Sequence, residues 1–210
     1  EQFRQHGLES ERLARFATRG SGYRKAVPAL PDYYHRLKAG DALAVGGRHW
    51  RIMIGHGHSP EHMALYCAEL GVLISGDMLL PRISTNVSVI DLEPEADPLP
   101  LYLSSIERMR HLPADTLVLP SHGKPFTGLH ERIKQLQDHH ADRLAEVQEA
   151  CAQTPCSAFD ILPVLFTRAL DLHQTTFAMG EAVAHLHRLW FAGSLTRTRG
   201  GDGIWRFSAA

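Results

Sequence analysis

Residues 55–62 read GHGHSPEH, which places His56, His58 and His62 within eight positions. Two later stretches carry further donors. SGD at 75–77 ends on the carboxylate of Asp77, and PSHG at 120–123 contains the imidazole of His122. Neutral imidazole and ionised carboxylate are both ligands for divalent metal ions, so the chemistry these residues could do together is to hold such an ion.

A metal site needs elements that bring its donors to one place. Each donor here follows a short run of buried-strand character: RIMIG runs into His58, VLISG into Asp77 and TLVLPS into His122. Neighbouring strands bring their ends together while the connections between them wander. Three strands that each deliver one donor at the same end therefore make a sheet-edge site. Gly57, Gly76 and Gly123 flank the donors where the backbone must turn and admit an ion and its substrate. DALAVGGRHWRIMIG reads as a hairpin about Gly46 and Gly47, and a second turn at 69–71 separates MALYCA from VLISG. A loop, DLEPEADPLP, leads to an expected amphipathic helix at 101–111. Residues 1–19 have the apolar spacing of one helix, with Phe3, Leu8, Leu13 and Phe16, before a Gly-Ser-Gly break at 20–22.

After Gly128 the pattern is helical. Residues 129–151 keep Leu129, Ile133, Leu136, Leu144 and Val147 as one apolar stripe amid charge, and His139 and His140 on that helix are expected to be solvated. Two further helices are expected at 157–170, capped by Ser157, and at 175–191, where Gly180 is an awkward interior residue. Two strands about Gly-Gly-Asp-Gly at 200–203 close the chain. Three helices and a hairpin are the element order of a winged helix, with Trp190 and Trp205 expected in its core. In residues 151–210 five arginines stand against four carboxylates, a net of +1. That is too little for phosphate binding, so nucleic acid is not the expected partner.

GHGHSPEH, an ALY strand, SGD and PSHG, in this order and at these separations, resemble the second half of the metallo-β-lactamase superfamily. In that family a TPGHT-like turn supplies a metal-binding histidine, a GD supplies the carboxylate that bridges two metals, and a late GHG-like turn supplies the last histidine. The resemblance implies that His58, Asp77 and His122 are metal ligands and that Asp77, as the bridge, is also catalytic. It implies two ions per intact site, zinc or another divalent metal, and a hydroxide formed at neutral pH that attacks an ester, thioester or related centre. The long helix and winged-helix tail are similar to lactamase-like hydrolases that carry such a tail. His56 stands where the family's turn usually has proline and is expected to be a plain loop residue. His62 is expected to support the site from behind, Glu61 to assist it or lie exposed, and Ser84, Thr85 and Asn86 to line a pocket.

The family's leading motif, HxHxDH, does not occur, and His6 and His35 have no partner two residues on. With Glu1 in place of an initiator Met, the expectation is that the sequence is a piece of a longer protein, inert alone, whose uncovered sheet associates with another copy or rearranges.

The composition sets outer bounds. Lys plus Arg at 22 nearly cancels Asp plus Glu at 23, so no bulk charge steers the chain to nucleic acid or an anionic membrane. The longest apolar runs are strand-length, which excludes a membrane span by a helix. Cys67, Cys151 and Cys156, an odd set without a CxxC pair, read as reduced thiols of a cytoplasmic protein. The expected fold is α+β: mainly the second half of an αββα sandwich over 1–128, then a connecting helix and winged helix over 129–210. The expected function is metal-dependent hydrolysis of a small-molecule ester or thioester. The alternatives are a nuclease of the same fold, or a non-catalytic binding or dimerisation module.

Overall fold

The computed structural model describes residues 1–18, 27 and 29–210, with residues 16–18 as backbone only. The Gly-Ser-Gly break at 20–22 lies outside the described residues. In place of one helix over 1–19 there are two, α1 (Gln2–Gln5) and α2 (Ser10–Thr18). The chain breaks between them because His6 and Leu8 turn inward and are buried, and the His6 carbonyl accepts the Phe159 N–H at 3.1 Å.

Five strands form one mixed sheet in the order β1 (Ala42–Val45), β2 (Arg48–Gly55), β3 (His62–Cys67), β4 (Val72–Gly76), β5 (Leu117–Pro120). The first four pair antiparallel in sequence and β5 joins β4 in parallel. Both hairpins fall where the glycine turns place them. Side chains alternate across the sheet, so Ala64, Tyr66, Leu73 and Val118 face the helices and are buried with them. The opposite face carries Ile54, Met63, Leu65, Ile74 and Leu117, of which Met63, Ile74 and Leu117 are exposed. Helix α3 (Pro98–Glu107) starts on a proline, which suits a first turn, and continues as a 3-10 turn at Arg108–His111. Its Leu99, Tyr102 and Ile106 pack on the sheet.

Helix α4 (Leu129–Gln153) contributes to two cores. Leu129, Ile133 and Leu136 pack with the sheet, while Val147 and Cys151 pack with the C-terminal elements. His140 is fully buried on the same stripe, against His185, and is not solvated; four residues after Leu136, it faces inward with that stripe. His139, its neighbour, is exposed.

The helix expected at 157–170 is only α5 (Leu162–Leu165). Pro163 is tolerated in a first turn and breaks an interior, and the residues before it form a turn in which Ser157 Oγ accepts the Asp160 N–H at 3.3 Å. Helix α6 (Leu172–Phe191) begins three residues earlier than expected because Asp171 and Gln174 form a reciprocal capping box. Gly180 within it has a packing reason: a Cβ there would lie 2.6 Å from Ser88 Oγ, and its carbonyl accepts the Val89 N–H at 3.1 Å. A hairpin of β6 (Leu195–Arg199) and β7 (Trp205–Ala209) ends the chain. Its core residues are Leu195 and Phe207; Trp190 and Trp205 are half-buried around the Arg197 guanidinium, 3.7 and 4.4 Å from their ring centres. Among the described residues no helix is long and apolar enough to cross a membrane.

Candidate metal centre

Strand directions decide where the donors fall. β2 and β4 are each antiparallel to β3 and so run the same way, and β5 follows β4. The C-terminal ends of β2, β4 and β5 therefore share one edge of the sheet with the start of β3. His58, Asp77 and His122 leave the first three ends, and His62 opens β3 opposite Gly55.

At that edge the three predicted residues meet. His58 Nε2 lies 3.4 Å from Asp77 Oδ2, and His122 Nε2 lies 3.4 Å from Asp77 Oδ1. One histidine thus stands at each oxygen of a single carboxylate. Among the described residues no three His, Cys, Asp or Glu groups close around one point as a cage for a single ion requires. The Ser121 hydroxyl donates to Asp77 Oδ1, and the Asp77 carbonyl accepts the Thr85 hydroxyl. His58 donates from Nδ1 to the Asn86 carbonyl at 2.8 Å. That bond takes up Nδ1 and leaves Nε2, the nitrogen that faces the carboxylate, as the one a metal ion would use. The donor set, imidazole nitrogens and carboxylate oxygens, fits a borderline divalent ion.

His62 stands behind the carboxylate. Its Nε2 accepts the Asp77 N–H at 3.1 Å, which leaves its proton on Nδ1, a buried atom without a partner among the described residues. Burial first, and then the neighbouring His58, lower its pKa. The approach of this ring requires glycine at 76: φ is +55°, and a Cβ would lie 2.7 Å from His62 Nε2. Gly57, with φ +97°, lets the His58 turn close on α3, since a Cβ would lie 2.6 Å from the Tyr102 amide nitrogen. His56 faces away, its Nδ1 donating to the Pro60 carbonyl at 2.7 Å, and Glu61 is exposed.

The loop after Asp77 is tied down by groups that no sequence motif marks. The Tyr102 hydroxyl donates to the Met78 carbonyl at 3.2 Å, and Arg132 on α4 donates to the carbonyls of Leu80 at 2.6 Å and Ile83 at 2.9 Å. Asn86, whose carbonyl holds His58, donates from Nδ2 to Glu181 Oε2 on α6 at 3.2 Å. The C-terminal helix thus reaches the candidate ligand through one residue. Asn86 was legible only by its nearness to Asp77 in sequence, and nothing in the sequence signalled Glu181, 95 positions on.

Comparison with known proteins identifies the family. Residues 4–122 match the family described as Metallo-beta-lactamase superfamily, and residues 144–210 match Metallo-beta-lactamase-like, C-terminal domain. The chain is similar to a beta-lactamase domain protein of known structure from Burkholderia ambifaria, with 56% identity and a TM-score of 0.95 over 99% of this chain and 60% of that one. It is also similar to a metallo-beta-lactamase family protein of known structure from Thermus thermophilus, with 30% identity and a TM-score of 0.80 over 99% of this chain and 62% of that one. The Bacillus subtilis (strain 168) protein named Probable metallo-hydrolase YqjP is 28% identical over 141 residues, 65% of this chain and 43% of its own length. The chain therefore spans less than two thirds of each of these relatives. Members of this family usually bind divalent metal ions. By the family match over 4–122, more than half of its length, the chain belongs to the metallo-beta-lactamase superfamily.

Proposed function

We propose that the intact protein is a metal-dependent hydrolase of small-molecule esters or thioesters, in which His58, Asp77 and His122 are three of the ligands of a two-zinc centre. The observation that carries this reading is the placement of His58 and His122 on opposite oxygens of Asp77, as for a carboxylate shared between two ions. When bound, such ions supply Lewis acidity that activates water and stabilises charge developing on a carbonyl oxygen. The chain's own residues do the positioning. The Asn86 carbonyl holds the His58 ring by Nδ1, His62 fixes the Asp77 backbone, and Ser121 orients the Asp77 carboxylate through Oδ1.

Three donors divided between two ions fall short of the four each zinc takes, so this 210-residue chain by itself is proposed to be hydrolytically inert. Its sheet is read as the second half of an αββα sandwich, whose exposed apolar face, with Met63, Ile74 and Leu117, packs on the other half; without that cover, two copies associate through it. Residues 129–210 are read as the connecting helix and winged helix, with a structural role and no nucleic acid bound.

The test is zinc binding by competition with a chromophoric chelator, together with turnover of an aryl ester. Weak zinc binding that is lost in Asp77→Asn and His58→Ala, without turnover, is expected. Zinc binding indifferent to both substitutions would overturn the ligand assignment. Robust turnover by this chain, lost in Asp77→Asn, would overturn its proposed incompleteness.

A further inference from the structure

A cleft of about 580 Å³ opens beside His58, between the 56–60 turn, the 86–98 loop and helix α6. That volume lies within the range of small-molecule sites. Its wall is apolar, built from Phe3, Val89, Ile90, Leu92, Leu101 and Phe177. Four of these hold an unusual position for large hydrophobic side chains: Ile90 is 48% exposed, Leu92 87%, Leu101 54% and Phe177 49%. Apolar side chains left in water and gathered around one concavity mark a place where something apolar is received.

The cleft's charge narrows what that is. Among the described residues no lysine or arginine lines it; besides the imidazoles of His56 and His58, the one ionisable side chain among them is Glu93. An anionic occupant would meet a carboxylate and no counter-charge, whereas an uncharged one loses nothing. The cleft is also placed for a substrate. His58 is the residue that the cleft and the carboxylate edge share: it forms part of the cleft wall, and its Nε2 lies 3.4 Å from Asp77 Oδ2. The wall itself is held firm. Gly180 packs directly on Ser88, and Asn86 bonds Glu181, so the turn of α6 that carries Phe177 moves with the loop that fixes His58.

We infer that this cleft receives an uncharged apolar group of the substrate, alkyl or aryl, so that the substrate class is an ester or thioester with a neutral hydrophobic substituent beside the scissile carbonyl. The inference rests on the hydrolase reading for the word substrate, but the binding it predicts needs no metal. Helix α6 is then a specificity element, and Phe177 and Leu92 are the cleft's discriminating side chains.

The experiment uses the full 210-residue chain, metal-free, with the neutral fluorophore N-phenyl-1-naphthylamine as probe and octanamide and octanoate as competitors. Saturable binding is expected, weakened about tenfold in Phe177→Asp and in Leu92→Asp, both at exposed positions, with unchanged circular dichroism. Octanamide should displace the probe at least about tenfold more effectively than octanoate. Ile74→Ser, on the exposed sheet face, serves as control and should leave binding unchanged. Binding lost in Ile74→Ser but kept in both aspartate variants would overturn the assignment, as would equal displacement by the two competitors. Absence of probe binding overturns the cleft and leaves the zinc measurement standing; absence of zinc binding overturns the metal reading and leaves the cleft standing.

Discussion

Glu181 Oε2 and Asn86 Nδ2 are 3.2 Å apart, a single hydrogen bond between the C-terminal helix and the residue whose carbonyl holds His58. Burial pushes the Glu181 carboxyl up to about 7 from 4.5, with the Asn86 bond opposing. The folded state therefore holds this proton more tightly than the unfolded state. The contribution to stability is fully present below pH 4.5 and is lost as pH rises through 7. In urea titrations the stability of the wild type relative to Glu181→Gln should fall steadily across that window. A difference that stays flat from pH 4.5 to 7 would show that Glu181 does not titrate there.

Buried histidines give the opposite slope on the acid side. Burial lowers His6 and His140 to about 3 and His185 to about 4, from 6.5. Each is neutral when folded and gains a proton on unfolding, so the stability it contributes is lost as pH falls from 6.5 through those values. His140→Leu removes one such group, together with its buried Nε2, which lacks a partner among the described residues. The acid-unfolding midpoint of this variant, followed by circular dichroism, should move to lower pH.

Gly76→Ala should act on the candidate site through His62. The added Cβ meets the His62 ring, and the residue would be forced to hold a φ of +55°. A loss of about 2 kcal/mol or more is expected from the denaturant midpoint. The His62 imidazole resonances should shift, because the ring must leave the Asp77 amide to which it bonds. Unperturbed resonances would mean that the backbone absorbs the methyl elsewhere.

Arg197 is held between the Trp190 and Trp205 rings and pairs with Glu95 at 2.9 Å. Arg197→Met keeps the stem and removes the cation and its donors. Thermal or urea unfolding should report a loss of about 1–2 kcal/mol. Lysine should not restore it, since an ammonium lacks the planar face that stacks between two rings.

Much of this site could be read in advance because its parts are local. Strand, glycine and donor are adjacent in sequence at RIMIG–His58, VLISG–Asp77 and TLVLPS–His122, and the antiparallel hairpins then leave little choice about which ends meet. What escaped was of two kinds. Some signals were present and outweighed: Pro163 forbids a helix running through 157–170, Asp171 and Gln174 announce the start of α6, and His140 completes the stripe of Ile133, Leu136 and Val147. Others are absent from any local pattern. The bonds of Arg132 to the 80–83 loop and of Glu181 to Asn86 join residues 49 to 95 positions apart, and only the packed fold brings them together.

Helix α4 is about 38 Å long at 1.5 Å per residue, and its two ends are embedded in different cores. The match to the C-terminal family begins at residue 144, inside this helix. The boundary of the unit that recurs between proteins therefore falls inside one continuous helix and not between packed elements. Severing the chain at residue 144 would cut a continuous ladder of backbone hydrogen bonds and leave each piece a helical stub with one apolar flank. Loosening either end of this shared beam should be felt at the other, so the expected outcome is one cooperative unfolding transition, checked by coincident near- and far-ultraviolet circular dichroism.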